Sequence, residues 1–584
     1  MATTRDAPFG DDVERFWTIR PKAPQEQFAR LPDLERLVVQ VLYNRGLTDS
    51  TAVRTFLDRR THGGDPFQMQ GIPAAVKRIR QAIERQERII VHGDFDADGV
   101  TSTALTVEVL HALGARVAPY IPDRVDEGYG LNMVTLDKMA AQGVSLLVTV
   151  DCGIRAHNEI AHAARLGLDV IVTDHHSLPP TLPGALAIIN PKQPGDRYGF
   201  ADFAGVGLAF KLGQALVLAS QERTIGRPRA EIDPDDLLDL VALGTVADLA
   251  PLLGENRLLV SKGLPYLNQP ARPGLRHLMT TARVKPGSVN AETIGFLLGP
   301  RLNAAGRLDH AKLAYKLLWT RNELEAAELA RQLEALNRRR QALTHSALEE
   351  ARARLTDPNA PLLMVRDGRF PEGIIGLVAG RLTEEFYRPA VVVHQGPPDG
   401  ESRGSARSIP ELHIIQALDR CADLLVKYGG HTAAAGFTVA TTDLPALEAR
   451  LTDLAAASLA GRDLRPTLVA DAEIKLEHIQ ERHIAAIETL APFGEGNPEP
   501  LFAARYLETR RARRVGEGGK HLQLQILDRR RRLWQAIAFR QGERLAQGPL
   551  PELIDALFHL RCEQWNGTQR LTLVVQDLRA SQSP

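Results

Sequence analysis

Four stretches of the chain end apolar runs on acids or imidazoles, and together they could hold divalent cations. In HGDFDADG (92–99), Asp94, Asp96 and Asp98 sit two apart after Ile89-Ile90-Val91. In an extended segment that spacing sets the three carboxylates on one side of the backbone, where like charges repel unless a cation lies between them. LLVTVDCG (146–153) delivers Asp151, and DVIVTDHH (169–176) delivers Asp174, His175 and His176. DLLDLVALGTVADLAP, helical in pattern, closes on Asp248 ahead of Pro251.

Carboxylates from Asp94, Asp96, Asp151 and Asp248 with the His175 imidazole form a mixed oxygen and nitrogen ligand set. Mg²⁺ accepts the carboxylates, while the histidine tilts the preference toward Mn²⁺. Four carboxylates outweigh one divalent ion. Two ions about 3.5–4 Å apart, bridged by Asp151, would balance them and form the clamp that cleaves phosphoesters. Capping aspartates at strand ends would account for any one of these acids, but not for all of them beside a histidine.

For these side chains to meet, their runs must be neighbouring strands of a parallel sheet whose carboxyl ends open on one crevice. The intervening segments fit. Helical patterns at 101–113, 133–142 and after Ala156, with a further strand near 116–121, give crossovers of the right length. Residues 177–205, rich in Pro and Gly, break the periodicity.

At 584 residues the chain is too long for one core. The fold class is α/β, organised as an N-terminal helical cap (1–70), the parallel-sheet domain (71–320), a long connecting helix (321–357), a second α/β domain (358–456) and a C-terminal β-barrel (467–580). The helix would span about 50 Å. In the second α/β domain, ESRGSARSIP reads as a Gly/Ser/Arg loop, and Gly429, Gly430 and His431 open a loop that would approach a phosphate or sugar closely. Alternating Leu522, Leu524 and Ile526 and a turn at Asn566-Gly567 suit an oligonucleotide-binding (OB) fold. Basic and acidic residues balance, 71 against 71, so a polyanion would have to be met by local arginine clusters. Three scattered cysteines argue for a reducing cytoplasm and against structural zinc. There is no apolar signal core and no run long enough to cross a bilayer, so a cytoplasmic protein without membrane attachment is expected.

DFDADG, DCG, DHH and VALGTVAD stand in the order and rough spacing of the DHH-family phosphoesterases. With PRLNAAGR, GGHTAAAG and APFGEGNPEP, the chain resembles the family's bacterial single-strand-specific exonuclease branch over nearly all of residues 70–580. That resemblance implies a 5′-to-3′ exonuclease on single-stranded DNA, with two Mn²⁺ or Mg²⁺ ions per site, releasing nucleoside 5′-monophosphates in recombination and repair. It makes the second α/β domain DHHA1-type. It implies metal ligands Asp94, Asp96, Asp151, His175 and Asp248, with Asp151, Asp174 and His176 catalytic and His176 at the scissile phosphate. Arg124, Arg301, Ser405, Arg407, Gly430 and His431 match substrate-holding positions; guanidinium forks and a hydroxyl grip phosphate oxygens and would set strand polarity. Many smaller family members carry a histidine where this chain has Ile90; His92 is nearby but out of register. A single-strand-binding protein and a RecQ-type helicase are natural partners of such an enzyme, which would act as a monomer. The runs Arg510-Arg511, Arg513-Arg514 and Arg529–Arg532 read equally as an extension of the DNA track along the barrel or as exposed hairpin charges.

Two other readings make different predictions. A phosphodiesterase for small substrates has no need of the barrel or the long helix. A silent DNA-binding scaffold would lack ligands, whereas every expected aspartate is present here.

Overall fold

The computed structural model describes residues 15–58, 63–124, 127–565 and 568–582. Its first strand, β1 (Phe16–Ile19), finds its partner at the far end of the chain, pairing in parallel with Thr467–Ala470. Trp17 Nε1 donates to Asp577 Oδ2 at 2.7 Å, and Asn44 Nδ2 donates to the Asp471 carbonyl at 2.6 Å. The N-terminal segment therefore folds with the C-terminal residues. Among the described residues, those of 54–339 and 491–498 form one compact unit, and those of 15–53, 340–490 and 499–582 form the other.

The first unit is built on a five-stranded parallel sheet: β2 (Arg88–Gly93), β3 (Arg116–Tyr120), β4 (Val144–Val150), β5 (Asp169–Thr173) and β6 (Ala187–Ile189), in spatial order β3-β2-β4-β5-β6. Near-continuous apolar strands mean both faces are covered. Ile89, Val91, Val148 and Ile171 pack with helices Ala97–Ala112, Gly205–Glu222 and Leu238–Ala247. Ile90, Leu147, Val170 and Val172 pack on the other face with helices Met133–Ala141 and His157–Arg165. β6 lies inside the Pro/Gly-rich stretch, where three residues are too few to show a period.

Residues 491–498 return to this unit just beyond Asp248: the Leu252 amide donates to the Glu495 carbonyl at 2.7 Å. The long helix runs Glu323–Arg354, 32 residues, the first unit ending within it at Arg339.

In the second unit, β7 (Leu363–Asp367), β8 (Ala390–His394), β9 (Glu401–Arg407), β10 (Leu425–Gly430) and β11 (Ala434–Ala440) form a mixed sheet in the order β10-β11-β9-β8-β7. The Gly/Ser/Arg stretch expected as a loop is β9, its centre. Pairing to β8 and β11 on both sides overrides weak strand propensity, with Ser402, Gly404 and Ala406 turned inward. Gly430 likewise serves the β10–β11 hairpin: a Cβ there would sit 2.4 Å from the Ala434 carbonyl oxygen.

β12 (Thr467–Ala470), the partner of β1, and β13 (Ala472–Glu473) lead into β14 (Phe502–Val515), β15 (His521–Leu527), β16 (Leu533–Ala538), β17 (Leu553–Trp565) and β18 (Thr568–Ala580). The last five close into a barrel because β14 pairs with both β15 and β17. Leu522, Leu524 and Ile526 fill it as their alternation predicts. The Asn566-Gly567 turn lies outside the described residues. Among those residues no helix is long and apolar enough to cross a membrane.

Candidate metal centre and active site

Strand register brings the acids to one level. Gly93 is aligned with Val150, Val150 with Thr173 and Thr173 with Ile189, so the next residues, Asp94, Asp151, Asp174 and Asn190, leave the sheet side by side. Asp151 does so with φ 62°, a left-handed conformation costing a non-glycine residue about 1 kcal/mol. The bond from its amide to the Thr173 carbonyl, 2.9 Å, helps hold it there.

Helix Ala97–Ala112 begins directly after Asp96, whose Oδ1 caps it by accepting the amides of Asp98 at 2.9 Å and Gly99 at 3.0 Å. The three acids of DFDADG therefore do not stay on one side of an extended strand. Asp98 turns inward, and its two oxygens accept the amides of Gly205 at 2.6 Å and Val206 at 2.8 Å. Its work is to staple two helices together.

Asp94, Asp96 and Asp151 bring one ligand atom each within 4.8 Å of one another, as do Asp98, His175 and Asp248, and Asp151, His175 and His176. His175 links the sets: Nε2 stands 3.1 Å from Asp151 Oδ1 and Nδ1 stands 3.9 Å from Asp248 Oδ2. The 3.1 Å approach lacks hydrogen-bond alignment, and buried Asp94 Oδ1, Asp151 Oδ1 and His175 Nε2 have no hydrogen-bond partner. Each such atom costs about 1–3 kcal/mol. They belong to two ligand sets joined at Asp151, Asp94 on one side and His175 on the other, and such buried, unpaired oxygen and nitrogen atoms are what divalent cations satisfy, so the donor set fits Mn²⁺ or Mg²⁺.

The electrostatics agree. Burial, then the neighbouring acids, Asp96 for Asp94 and Asp98 for Asp151 and Asp248, pushes these three carboxyls well above the usual range. Asp248 also caps the carboxyl end of helix Leu238–Ala247, where backbone carbonyls add negative potential. Burial, reinforced by His176, lowers His175 to about 3. It therefore offers a neutral imidazole ligand at physiological pH.

Asp174 has a different task. Its Oδ2 accepts the Ile154 amide at 2.9 Å, and its Oδ1 accepts the His176 amide at 3.1 Å and lies 2.7 Å from His176 Nδ1. Burial opposes charge on His176, but the Asp174 bond and the charges of Asp174, Asp94 and Asp96 outweigh it and raise its pKa. Asp174 thus positions His176 rather than facing the acids. Ile90 packs in the sheet's outer core, and His92 is buried against Tyr120 at 5.3 Å with burial holding it near 4. His92 belongs to none of the ligand groups found among the described residues.

Two further residues at the site, Tyr129 and Phe95, carry no chemical signature in the sequence. Tyr129 Oη donates to the Asp151 carbonyl at 3.2 Å, Phe95 meets Tyr129 edge-on at 6.5 Å, and Arg124 lies over Phe95 at 4.8 Å. The PRLNAAGR helix (Gly299–Leu308) clamps the DFDADG turn: Asn303 Oδ1 accepts the Ala97 amide at 2.7 Å, and a Cβ on Gly306 would sit 2.3 Å from the Phe95 carbonyl oxygen. Gly306→Ala is therefore expected to weaken Mn²⁺ binding about 10–100-fold without touching a ligand. Isothermal titration reads this directly, and an unchanged affinity would dismiss the clamp.

Arg301 is held by Glu334 at 2.7 Å and by the Leu297 carbonyl at 2.8 Å. In the second unit, Arg407 Nη1 donates to Ser405 Oγ at 3.1 Å, and both approach Gly376 at the start of helix Ile375–Phe386. Gly429, Gly436 and Ser405 lie abreast on β10, β11 and β9, so the hairpin bearing Gly430 and His431 shares that end of the sheet. On the barrel, Arg514 pairs with Glu543 and Arg531 with Glu508, while Arg529 lies over Tyr506. A cavity of about 1170 Å³ beside β3, lined by His111, Tyr315 and Trp319, contains none of the cluster's acids.

A parallel sheet presenting buried carboxylates and a neutral histidine at its carboxyl edge defines a metal-dependent phosphoesterase. The profile of the DHH family, N-terminal domain, matches residues 88–245, that of the DHHA1 domain 359–457, and that of the RecJ OB domain 470–577. The chain is 39% identical to the single-stranded-DNA-specific exonuclease RecJ of Bacillus subtilis over 94% of this chain and 68% of that protein. It is 37% identical to the RecJ of Escherichia coli over 86% of this chain and 88% of that one. The crystal structure of Thermus thermophilus RecJ in complex with Mn²⁺ superposes with a TM-score of 0.82 at 32% identity, covering 97% of this chain and 80% of the other. The chain belongs to the RecJ family.

Proposed function

We propose that this protein is a single-stranded-DNA-specific exonuclease that hydrolyses phosphodiester bonds from the 5′ end and releases nucleoside 5′-monophosphates in recombination and repair. The observation that carries the reading is that Asp94 Oδ1, Asp151 Oδ1 and His175 Nε2, all buried and without hydrogen-bond partners, belong to two ligand sets joined at Asp151. Asp94, Asp96, Asp151, His175 and Asp248 would hold two Mn²⁺ or Mg²⁺ ions, Asp151 being the candidate to serve both. When bound, such ions would neutralise phosphate charge and make a bound water more acidic. His176, its pKa raised by the Asp174 hydrogen bond and charge, would donate to the phosphate under attack. Arg124, Arg301, Ser405, Arg407, Gly430 and His431 hold the strand and its 5′ end, which sets the polarity.

The RecJ relatives' description as single-stranded-DNA-specific supports the substrate, and the RecJ OB match supports a barrel that follows the strand. The enzyme acts as a cytoplasmic monomer with a single-strand-binding protein and a RecQ-type helicase as partners. A long 5′-phosphorylated single strand with Mn²⁺ should be consumed from its 5′ end, while a blunt duplex of equal length is spared and a chelator stops the reaction. An intact long strand beside hydrolysed dinucleotides would replace this reading with a small-substrate phosphodiesterase.

A further inference from the structure

β6 brings a residue to the metal centre that no motif marks. Beyond Ile189, buried Asn190 ties the chain to the histidine pair: its Nδ2 donates to the His176 carbonyl at 3.0 Å and its Oδ1 accepts the Lys192 amide at 3.0 Å. Gln193 Nε2 locks the turn from below, donating to the carbonyls of Ile188 at 2.9 Å and Asn190 at 3.1 Å. The turn is pinned at the level where Asp94, Asp151 and Asp174 leave the sheet. Its exposed Lys192 ammonium donates to the His175 carbonyl, and among the described residues no carboxylate lies within ion-pair distance of it. Its charge is felt by both His175 and Asp248. A solvated surface lysine would be free to swing away; this one is seated on the His175 backbone.

We propose that Lys192 is a substrate-contacting residue that grips a non-bridging oxygen of the phosphodiester under attack, on the His175–Asp248 side of the metal centre. An ammonium has three donors; the His175 carbonyl takes one, leaving two for phosphate oxygens. The inference rests on the exonuclease reading above. It gives the scissile phosphate a protein cation that does not depend on the metal ions.

The test uses the full-length chain and two measurements that should move in opposite directions. Lys192→Gln should weaken binding of a single-stranded oligonucleotide about 3–10-fold at low salt. It should also reduce the slope of log affinity against log salt by about 0.7, the share of one phosphate contact on a single strand. The same variant should bind Mn²⁺ about 2–5-fold more tightly in calorimetry, since a like charge has been removed beside two ligands. Lys192→Arg should keep the wild-type slope, as should Lys285→Gln, an exposed lysine outside the site. A Lys192→Gln slope equal to wild type overturns the proposal. So does weakened Mn²⁺ binding, which would make Lys192 a support for His175 alone. If wild type neither binds nor degrades single strands, the exonuclease reading itself fails.

Discussion

Asp151→Asn is expected to slow hydrolysis of single-stranded DNA by about 10³–10⁵-fold at saturating Mn²⁺, since about 4–7 kcal/mol of barrier would follow the loss of the ligand proposed above to serve both ions. The same substitution should stabilise the metal-free protein. Wild-type Asp151 is buried among Asp94, Asp96, Asp98 and Asp248, its carboxyl is pushed well upward, and its backbone is left-handed, a conformation asparagine tolerates well. A carboxyl whose folded pKa is raised adds stability that is complete below its unfolded pKa and is lost as pH rises through the folded one. Metal-free wild type should therefore lose melting temperature from mildly acidic to neutral pH, and Asp151→Asn should lose less. Mn²⁺ should reverse the ranking, because only wild type gains strongly from binding. Thermal melts at several pH values, with and without Mn²⁺, test this. A variant that is active, or less stable than wild type without metal, would remove Asp151 from the centre of the cluster.

Asp174→Asn should lower kcat/KM about 10²–10³-fold at neutral pH while leaving Mn²⁺ affinity within a few-fold of wild type. Both Asp174 oxygens are engaged with Ile154 and His176, so the loss acts through the imidazole. Burial by itself would lower His176; the Asp174 hydrogen bond and charge raise it. His176 thus stays protonated until pH climbs through its elevated pKa, and activity should fall there on the alkaline side. On the acid side, activity should fall as the raised carboxyls take up protons and surrender metal. In Asp174→Asn the alkaline limb should move to lower pH, and in His176→Ala it should vanish with a comparable loss of rate. Profiles of kcat/KM against pH at saturating Mn²⁺ decide the matter. An alkaline limb unmoved by Asp174→Asn would show that His176 is not the group titrating there.

Much of this arrangement was legible in the primary structure, because a parallel strand covered on both faces must be apolar along its length and can turn polar only where it leaves the sheet. Runs such as Leu146–Val150 and Asp169–Thr173 therefore announce themselves, and the acids that follow them can be grouped from their positions in the chain. The long helix and the barrel hairpins were legible for a similar reason: periods of 3.6 and 2 persist over enough residues to be counted. Where the period is short or the residues are small, local reading failed. β6 has three residues, and β9 is Glu-Ser-Arg-Gly-Ser-Ala-Arg, a strand only because β8 and β11 flank it.

By itself, then, the sequence determined which side chains could bind metal and that parallel strands would deliver them, since both depend on residue type and spacing along the chain. Only the tertiary structure decided their division of labour. Asp98 is spent on the amides of Gly205 and Val206, Asp174 on His176, and Asp94 and Asp151 keep an unpaired oxygen. Tertiary structure likewise placed Asn303 and Lys192 beside residues about 200 and 20 positions away. A carboxylate's role depends on which donors reach it, and those donors come from segments whose proximity is set by strand register and helix packing rather than by local sequence.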